Sequence, residues 1–242
     1  MPRIYLLLLL IILAMGNIKA QQPNVPYISQ GYRTLWIGAI AGPSRLLEKA
    51  PDSLIPEVKD YLNKLRSGWH YGFESEYFFN NYLGIGAKYS RFNTMQEVDS
   101  IVVEFFSTTY YVDLSSNMSI HNVSPMVYGR LPLLKNKLSI TGGMGPAWLF
   151  YRNLGKAIGD TAMFKGSSPG LSTSLRVSYE IIPNLNIALQ SSYIHALLKE
   201  FTQDDGSTQQ VVKLEEQYYQ NISHIDLSFG IFYTFRRKIP AI

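Results

Sequence analysis

The stretch Ile225 to Phe235, IDLSFGIFYTF, constrains the fold more than any other part of the chain. Ile225, Leu227, Phe229, Ile231, Tyr233 and Phe235 alternate with Asp226, Ser228, Gly230, Phe232 and Thr234. A period of two belongs to a strand and not to a helix. One face is wholly apolar. The other is mostly small and polar and carries a carboxylate. Such a strand suits a soluble β-sandwich, or a transmembrane barrel whose apolar side meets lipid. Repetition at spanning length is what separates the two.

The pattern does repeat. It is present at Thr34–Gly42, with Leu35, Ile37, Ala39 and Ala41 on one face. Trp69–Phe79 places Trp69, Tyr71, Phe73, Tyr77 and Phe79 opposite His70, Gly72, Glu74, Glu76 and Phe78. Leu83–Phe92 sets Lys88 and Ser90 against Ile85 and Tyr89. Further strands are expected at about Ile120–Leu131, Leu138–Tyr151 and Leu171–Ile181, and from Leu185 to about Tyr193. The total is eight, and the connections alternate long and short. Leu54, Val58, Leu62 and Leu65 recur at helical spacing within the first long connection, predicting a short amphipathic helix ended by Gly68. Ile101–Leu114 is rich in β-formers but lacks clean alternation. It reads as an extension of its neighbours rather than an extra hairpin, which would raise the count to ten. Arg152–Pro169 and Lys199–Asn221 read as long polar loops.

The N-terminus carries Arg3 and then an apolar run, Ile4 to Met15, too short to span a bilayer as a helix. It reads as a secretory signal over residues 1–20, cleaved after Ala20. A periplasmic leader follows at 21–33, the barrel at 34–236, and a short tail at 237–242. Charged residues make up 17% of the chain, below the usual quarter for a soluble domain. The formal charge of +4 falls to +2 without Arg3 and Lys19, which gives no footing for a nucleic-acid partner. There is no cysteine, so disulfides, thiolate metal sites, a cysteine nucleophile and a lipoprotein anchor are all excluded.

The eight alternating segments resemble the small bacterial outer-membrane β-barrels of the OmpA/OmpX type, within the porin family. The likeness is carried by SPMVYGRLPLL at Ser124–Leu134, LSITGGMGPAWLFY at Leu138–Tyr151, SLRVSYEIIPNLNI at Ser174–Ile187 and the final IDLSFGIFYTF. The resemblance implies an all-β, eight-stranded, antiparallel up-and-down barrel in the Gram-negative cell outer membrane. It also implies contact with outer-membrane lipid and lipopolysaccharide, assembly by the barrel machinery, and a lumen filled by side chains. One departure is the segment RRKIPAI after Phe235, where such barrels usually end.

An eight-stranded barrel is only just wide enough for its own side chains. The inward faces place Glu74, Glu76, Lys88, Arg130, Arg176, Glu180 and Asp226 in that space. Unpaired buried charges are costly, so these residues are expected to pair as a structural plug; a proton or ion path is the alternative. Trp69, Tyr71, Trp148, Tyr151, Tyr179, Tyr193 and Tyr233 are expected as interfacial girdles. A lipid-modifying enzyme of the lipid A deacylase type would need Ser, His and an acid together. The nearest such grouping is His121 with Ser119 or Ser124, while His195, His224 and Glu200 read as a rim site for a metal or a lipid head group, or as interfacial polar residues. No metal spacing, phosphate loop or cofactor motif is present. The expected role is structural, or adhesion and recognition through the long loops, without catalysis. A soluble lipocalin-like carrier is the third reading, and it would require the charged face to point outward.

Overall fold

The computed structural model describes residues 32–48, 55–105, 108–157, 160–204, 206 and 208–238. The expected signal segment, most of the leader and residues 239–242 lie outside them. Eight long antiparallel strands make a closed ring: β1 (Tyr32–Leu46), β2 (Ser67–Phe78), β3 (Leu83–Phe105), β4 (Thr108–Leu133), β5 (Leu138–Ala157), β6 (Asp160–Ile182), β7 (Leu185–Leu198) and β11 (His224–Lys238). Three short strands, β8 (Glu200–Asp204), β9 (Gln209–Lys213) and β10 (Gln220–Asn221), lie in the last long connection. Closure is by β11 against β1, from Tyr32↔Lys238 to Leu46↔His224.

The register fixes the shape of the ring. Starting at Ser44, direct partners run through Asp226, Ser192, Ser174, Gly143, Tyr128, Gly84 and Phe78, and return to β1 at Thr34. The circuit therefore slips ten residues, from Ser44 to Thr34. A shear larger than the strand number means steeply tilted strands, near the upper end of the roughly 35–45° found in barrels.

Alternation follows the ring through most of its spanning part. Ile37, Phe73, Val127, Leu175, Phe229 and Ile231 are exposed on the outer wall. Glu74, Glu76, Lys88, Arg176 and Asp226 are buried inside. An outer wall of exposed apolar residues is unstable in water, and it matches a hydrocarbon surrounding in which every backbone group is paired around the ring. The carrier reading, which needed the charges outside, is overturned by this arrangement.

One short turn is shaped by Asn80, whose Oδ1 accepts from the amides of Tyr82 and Leu83, both at 2.8 Å. Another is shaped by Asn184 at φ 69°, a left-handed conformation that Asn tolerates. The opposite end is tall and uneven. β3 to β6 run 20 to 26 residues, whereas β1, β2, β7 and β11 run 12 to 15. Crossing a bilayer takes only about 9–11.

As expected, the described residues of Ile101–Leu114 extend β3 and β4, with Ile101↔Val112 paired beyond a register shift. Other expected boundaries shift. Arg152–Pro169 is not a loop: it forms the upper parts of β5 and β6, paired from Ala157↔Asp160 downward. Lys199–Asn221 likewise contains β8 and β9, with β8 pairing to β6. Above the membrane both faces of a strand meet water, so these strands carry no apolar alternation for a period search to find. The ring is also slightly wider than 34–236, since Arg236, Arg237 and Lys238 pair with β1. The RRK of RRKIPAI thus continues the last strand.

The expected helix is α1 (Pro56–Leu65), with Pro56 in its first turn, where a missing N–H costs nothing. Leu54 lies outside the described residues. Leu62 and Leu65 pack onto the apolar cluster in the upper lumen, so the helix closes over the barrel mouth.

Candidate functional site

Each inward face reads in layers along the barrel axis. On β7 the inward residues run Ala188, Gln190, Ser192, Ile194, Ala196, Leu198 from the short-turn end upward. On β2 they run Phe78, Glu76, Glu74, Gly72, His70. Stacked around the ring, these sequences give an aromatic floor, a charged belt and an apolar upper layer. The floor contains Trp36, Phe78, Tyr128 and Phe232. The upper layer contains Leu46, Phe92, Ile120, Leu149, Ile194 and Ile222, joined by Leu65 from α1.

Arg176 is the hub of the belt. Its Nη1 and Nη2 donate to the two carboxylate oxygens of Glu76, and Nη1 also donates to Glu74 Oε2 at 3.2 Å. The planar guanidinium matches a carboxylate fork, and this bidentate form is the strongest ion pair available to side chains. Lys88 Nζ sits 3.5 Å from Glu74 Oε1 and donates to Ser192 Oγ at 2.6 Å. Gln190 Nε2 completes Glu74 by donating to Oε1 at 2.6 Å. Beneath the belt, the Arg176 guanidinium lies 4.0 Å from the Phe232 ring centroid, a cation–π contact in a desolvated place.

Asp226 forms a second centre. Ser44 donates its hydroxyl to Oδ1. His70 Nδ1 and His224 Nε2 flank the same oxygen at 3.8 and 3.9 Å. His70 Nε2 is in turn 2.7 Å from Ser228 Oγ.

Of the seven residues expected in the lumen network, four (Glu74, Glu76, Lys88, Arg176) form one cluster, and Asp226 sits apart with histidines for neighbours. Arg130 and Glu180 are elsewhere. Arg130 lies over Phe78, 4.6 Å from the ring centroid, and its Nε donates to Asn81 O at the short-turn rim. Glu180 accepts from Arg236 Nη2 at 2.6 Å and from the Asn184 amide at 2.8 Å. Both sit within a few residues of turns, where the lumen opens to water, so they cap the floor instead of crossing it.

The histidine groupings expected at the rim do not form. His224 faces inward beside Phe92, whereas His195 faces outward, stacks on Tyr193 and lies 3.0 Å from Ser223 Oγ. Parity decides this: His224 shares the face of Asp226, and His195 shares the face of Tyr193. Ser223 is 1% exposed, and its hydroxyl also meets the Ala196 amide and carbonyl, so it brackets two strands. His121 accepts from or donates to Tyr89 OH at 2.9 Å on the outer wall, while Ser124 is buried on the other face. Among the girdle residues, Tyr151 is a correction, for it is buried inside the upper layer. The reading also missed Ser44, Gln190, Ser192 and His70 as belt partners. Each occupies an inward position, so alternation alone would have placed them. No group of three or more His, Asp or Glu suited to a metal occurs among the described residues.

Ring, wall and lumen are those of an outer-membrane barrel, and the sequence matches the family described as outer membrane protein beta-barrel domain over residues 5–215. The chain belongs to that family. It is an outer-membrane protein. In structure the barrel is similar to a major outer membrane protein from Thermus thermophilus, with a TM-score of 0.57 at 15% identity over 84% of this chain and 99% of that one. It is also similar to Neisserial surface protein A, at TM-score 0.45 and 15% identity over 86% and 98%. The outer membrane protease OmpT from Escherichia coli matches at TM-score 0.45 and 10% identity over 88% and 99%. At such identity the likeness to the Thermus protein bears on the fold alone, and none of the three says anything of activity. No individually curated protein matches the chain in sequence.

Proposed function

We propose that this outer-membrane barrel is a sealed, non-catalytic anchor that presents its tall end for recognition outside the cell. The observation that carries the reading is the layered lumen. A charged belt with its main members paired lies between an aromatic floor and an apolar upper layer capped by α1. Ions crossing such a path would have to break the Arg176 forks and shed their hydration in two apolar layers, at several kcal/mol for each charge. The uneven height supports the second half of the reading. β3 to β6 rise as a wall far beyond what crossing requires, and β8 and β9 widen it. Outer-membrane barrels put their long connections outside and their short turns in the periplasm, so this wall faces the medium. Lipid, the assembly machinery and an extracellular ligand are its proposed partners.

Planar-bilayer recording of the refolded protein tests the seal. Single-channel conductance near the electrical background is expected, and steady open channels of porin size would sink the reading. Heat-dependent migration on a denaturing gel confirms that the protein recorded is the folded barrel.

A further inference from the structure

A cavity of about 230 Å³ lies in the barrel mouth between α1 and the wall, above the apolar upper layer. It is lined by four separate parts of the chain: the end of β1 and residues just past it, α1 and its cap, β4 with β5, and β10. Its position is held rigidly. The Leu46 amide donates to Arg66 O at 2.8 Å, Arg66 Nε and Nη2 both donate back to Leu46 O at 3.3 Å, and the Leu47 amide donates to Ser223 O at 2.8 Å. The helix is therefore stapled to the rim, and the cavity is built before any ligand arrives.

We infer that this cavity binds a single uncharged sugar ring. Three observations set the ligand class. The base of the cavity is apolar, from Leu46, Leu65 and Met118, all nearly buried. The upper part is a ring of polar groups already oriented by one another: Glu48 to Gln220, Tyr151 to Gln220 and Asn153, Tyr61 to Ser116, and Ser116 Oγ to Asn153 Oδ1 at 2.8 Å. Side-chain donors and acceptors thus stand beside an apolar base, which complements a ring with an apolar face and hydroxyls at its edge. The charges balance, because Glu48 and Arg66 attract each other across the site. Arg66 is also committed to Leu46 O and Asn63 Oδ1, so neither charge is free to seize an ion or a zwitterion. The volume is below the roughly 300–1,000 Å³ of clefts that take drug-sized ligands, so one ring fits and a chain does not.

The site deepens the recognition reading and rests on it only for the outward orientation of the mouth. The conductance recording tests that reading without touching the cavity, so the two can fail separately. A sugar could arrive free in the medium or as a residue of lipopolysaccharide. The test is calorimetric titration of the barrel, refolded in a detergent without a sugar headgroup, with methyl hexosides, N-acetylhexosamines and lipid-free core oligosaccharide. Saturable binding of at least one is expected, and preference for the monosaccharide or the oligosaccharide separates the sources. Glu48→Gln exchanges one carboxylate acceptor oxygen for an amide donor, Gln220→Ala removes the side-chain amide outright, and each should weaken binding about tenfold. Lys137→Ala, at the opposite end, should leave it unchanged. Heat-dependent migration confirms that each variant is folded. Absence of saturable binding by every sugar, equal binding by all variants, or binding of free amino acids in place of sugars overturns the assignment.

Discussion

Arg176 on β6 meets Glu76 on β2 fork to fork across the lumen, Nη1 donating to Oε1 and Nη2 to Oε2. The two residues stand on strands far apart in the ring order, so the pair ties opposite walls together. Arg176→Met alone would leave Glu74 and Glu76 facing each other with Lys88 beside Glu74 and Arg130 below Glu76 as the remaining cations. A loss of about 3–5 kcal/mol is expected, since breaking a buried pair strands a charge. The double change Glu76→Gln with Arg176→Met keeps the Glu74–Lys88 pair and should recover most of that loss. Urea unfolding in lipid vesicles measures both; equal destabilisation by the single and double changes would contradict the pairing.

The outer wall makes an independent prediction. Phe229 is 70% exposed near the middle of β11. Phe229→Arg puts a charge into hydrocarbon and should cost about 2–4 kcal/mol in a bilayer. A cost near zero in vesicles would mean that this face does not meet lipid.

Gly38 provides a steric test of the floor. A Cβ there would lie 2.2 Å from the Phe232 ring, far inside contact distance. Gly38→Ala must push Phe232 from its place beneath Arg176, and about 1–3 kcal/mol of destabilisation is expected from overpacking. Pairing it with Phe232→Leu should give less than the sum of the two separate costs.

Burial raises the Glu48 carboxyl above the ordinary carboxylate range, against the lowering effects of Gln220 and Arg66. The folded protein therefore holds this proton more tightly than the unfolded chain does. The stability that Glu48 contributes is full below its unfolded pKa and declines as pH rises from there through the raised value. Glu48→Gln should remove this slope from the stability profile. Sugar binding has the opposite sign if the carboxylate accepts a hydroxyl proton: affinity should rise as pH climbs through the same titration and stay flat in the variant.

The tall wall is expected to be dispensable for the barrel itself. Replacing residues 96–114 with a short turn removes pairs above the membrane and leaves the ring from Trp69↔Asn93 downward untouched. The shortened protein should still insert, show heat-dependent migration and stay non-conducting, while losing any cell-surface binding measured for the full chain. Failure to assemble would assign the wall a folding role instead.

The alternation in IDLSFGIFYTF and its seven counterparts determined the strands, the face that meets lipid and the face that meets the lumen, because side-chain direction in a strand depends only on parity. Glu74, Glu76, Lys88, Arg176 and Asp226 share the parity of that second face and are buried. Alternation said nothing of where the strands stop above the membrane, since water on both sides removes the pattern. Nor could it say who pairs with whom. Whether Arg176 or a histidine faces Asp226 depends on the ten-residue slip around the ring, a property of all eight pairings at once and of no single segment. The mouth cavity is still less visible in the sequence, for Glu48, Tyr61, Tyr151 and Gln220 come from four distant places. Only closure of the ring, with α1 folded over it, brings them within reach of one another.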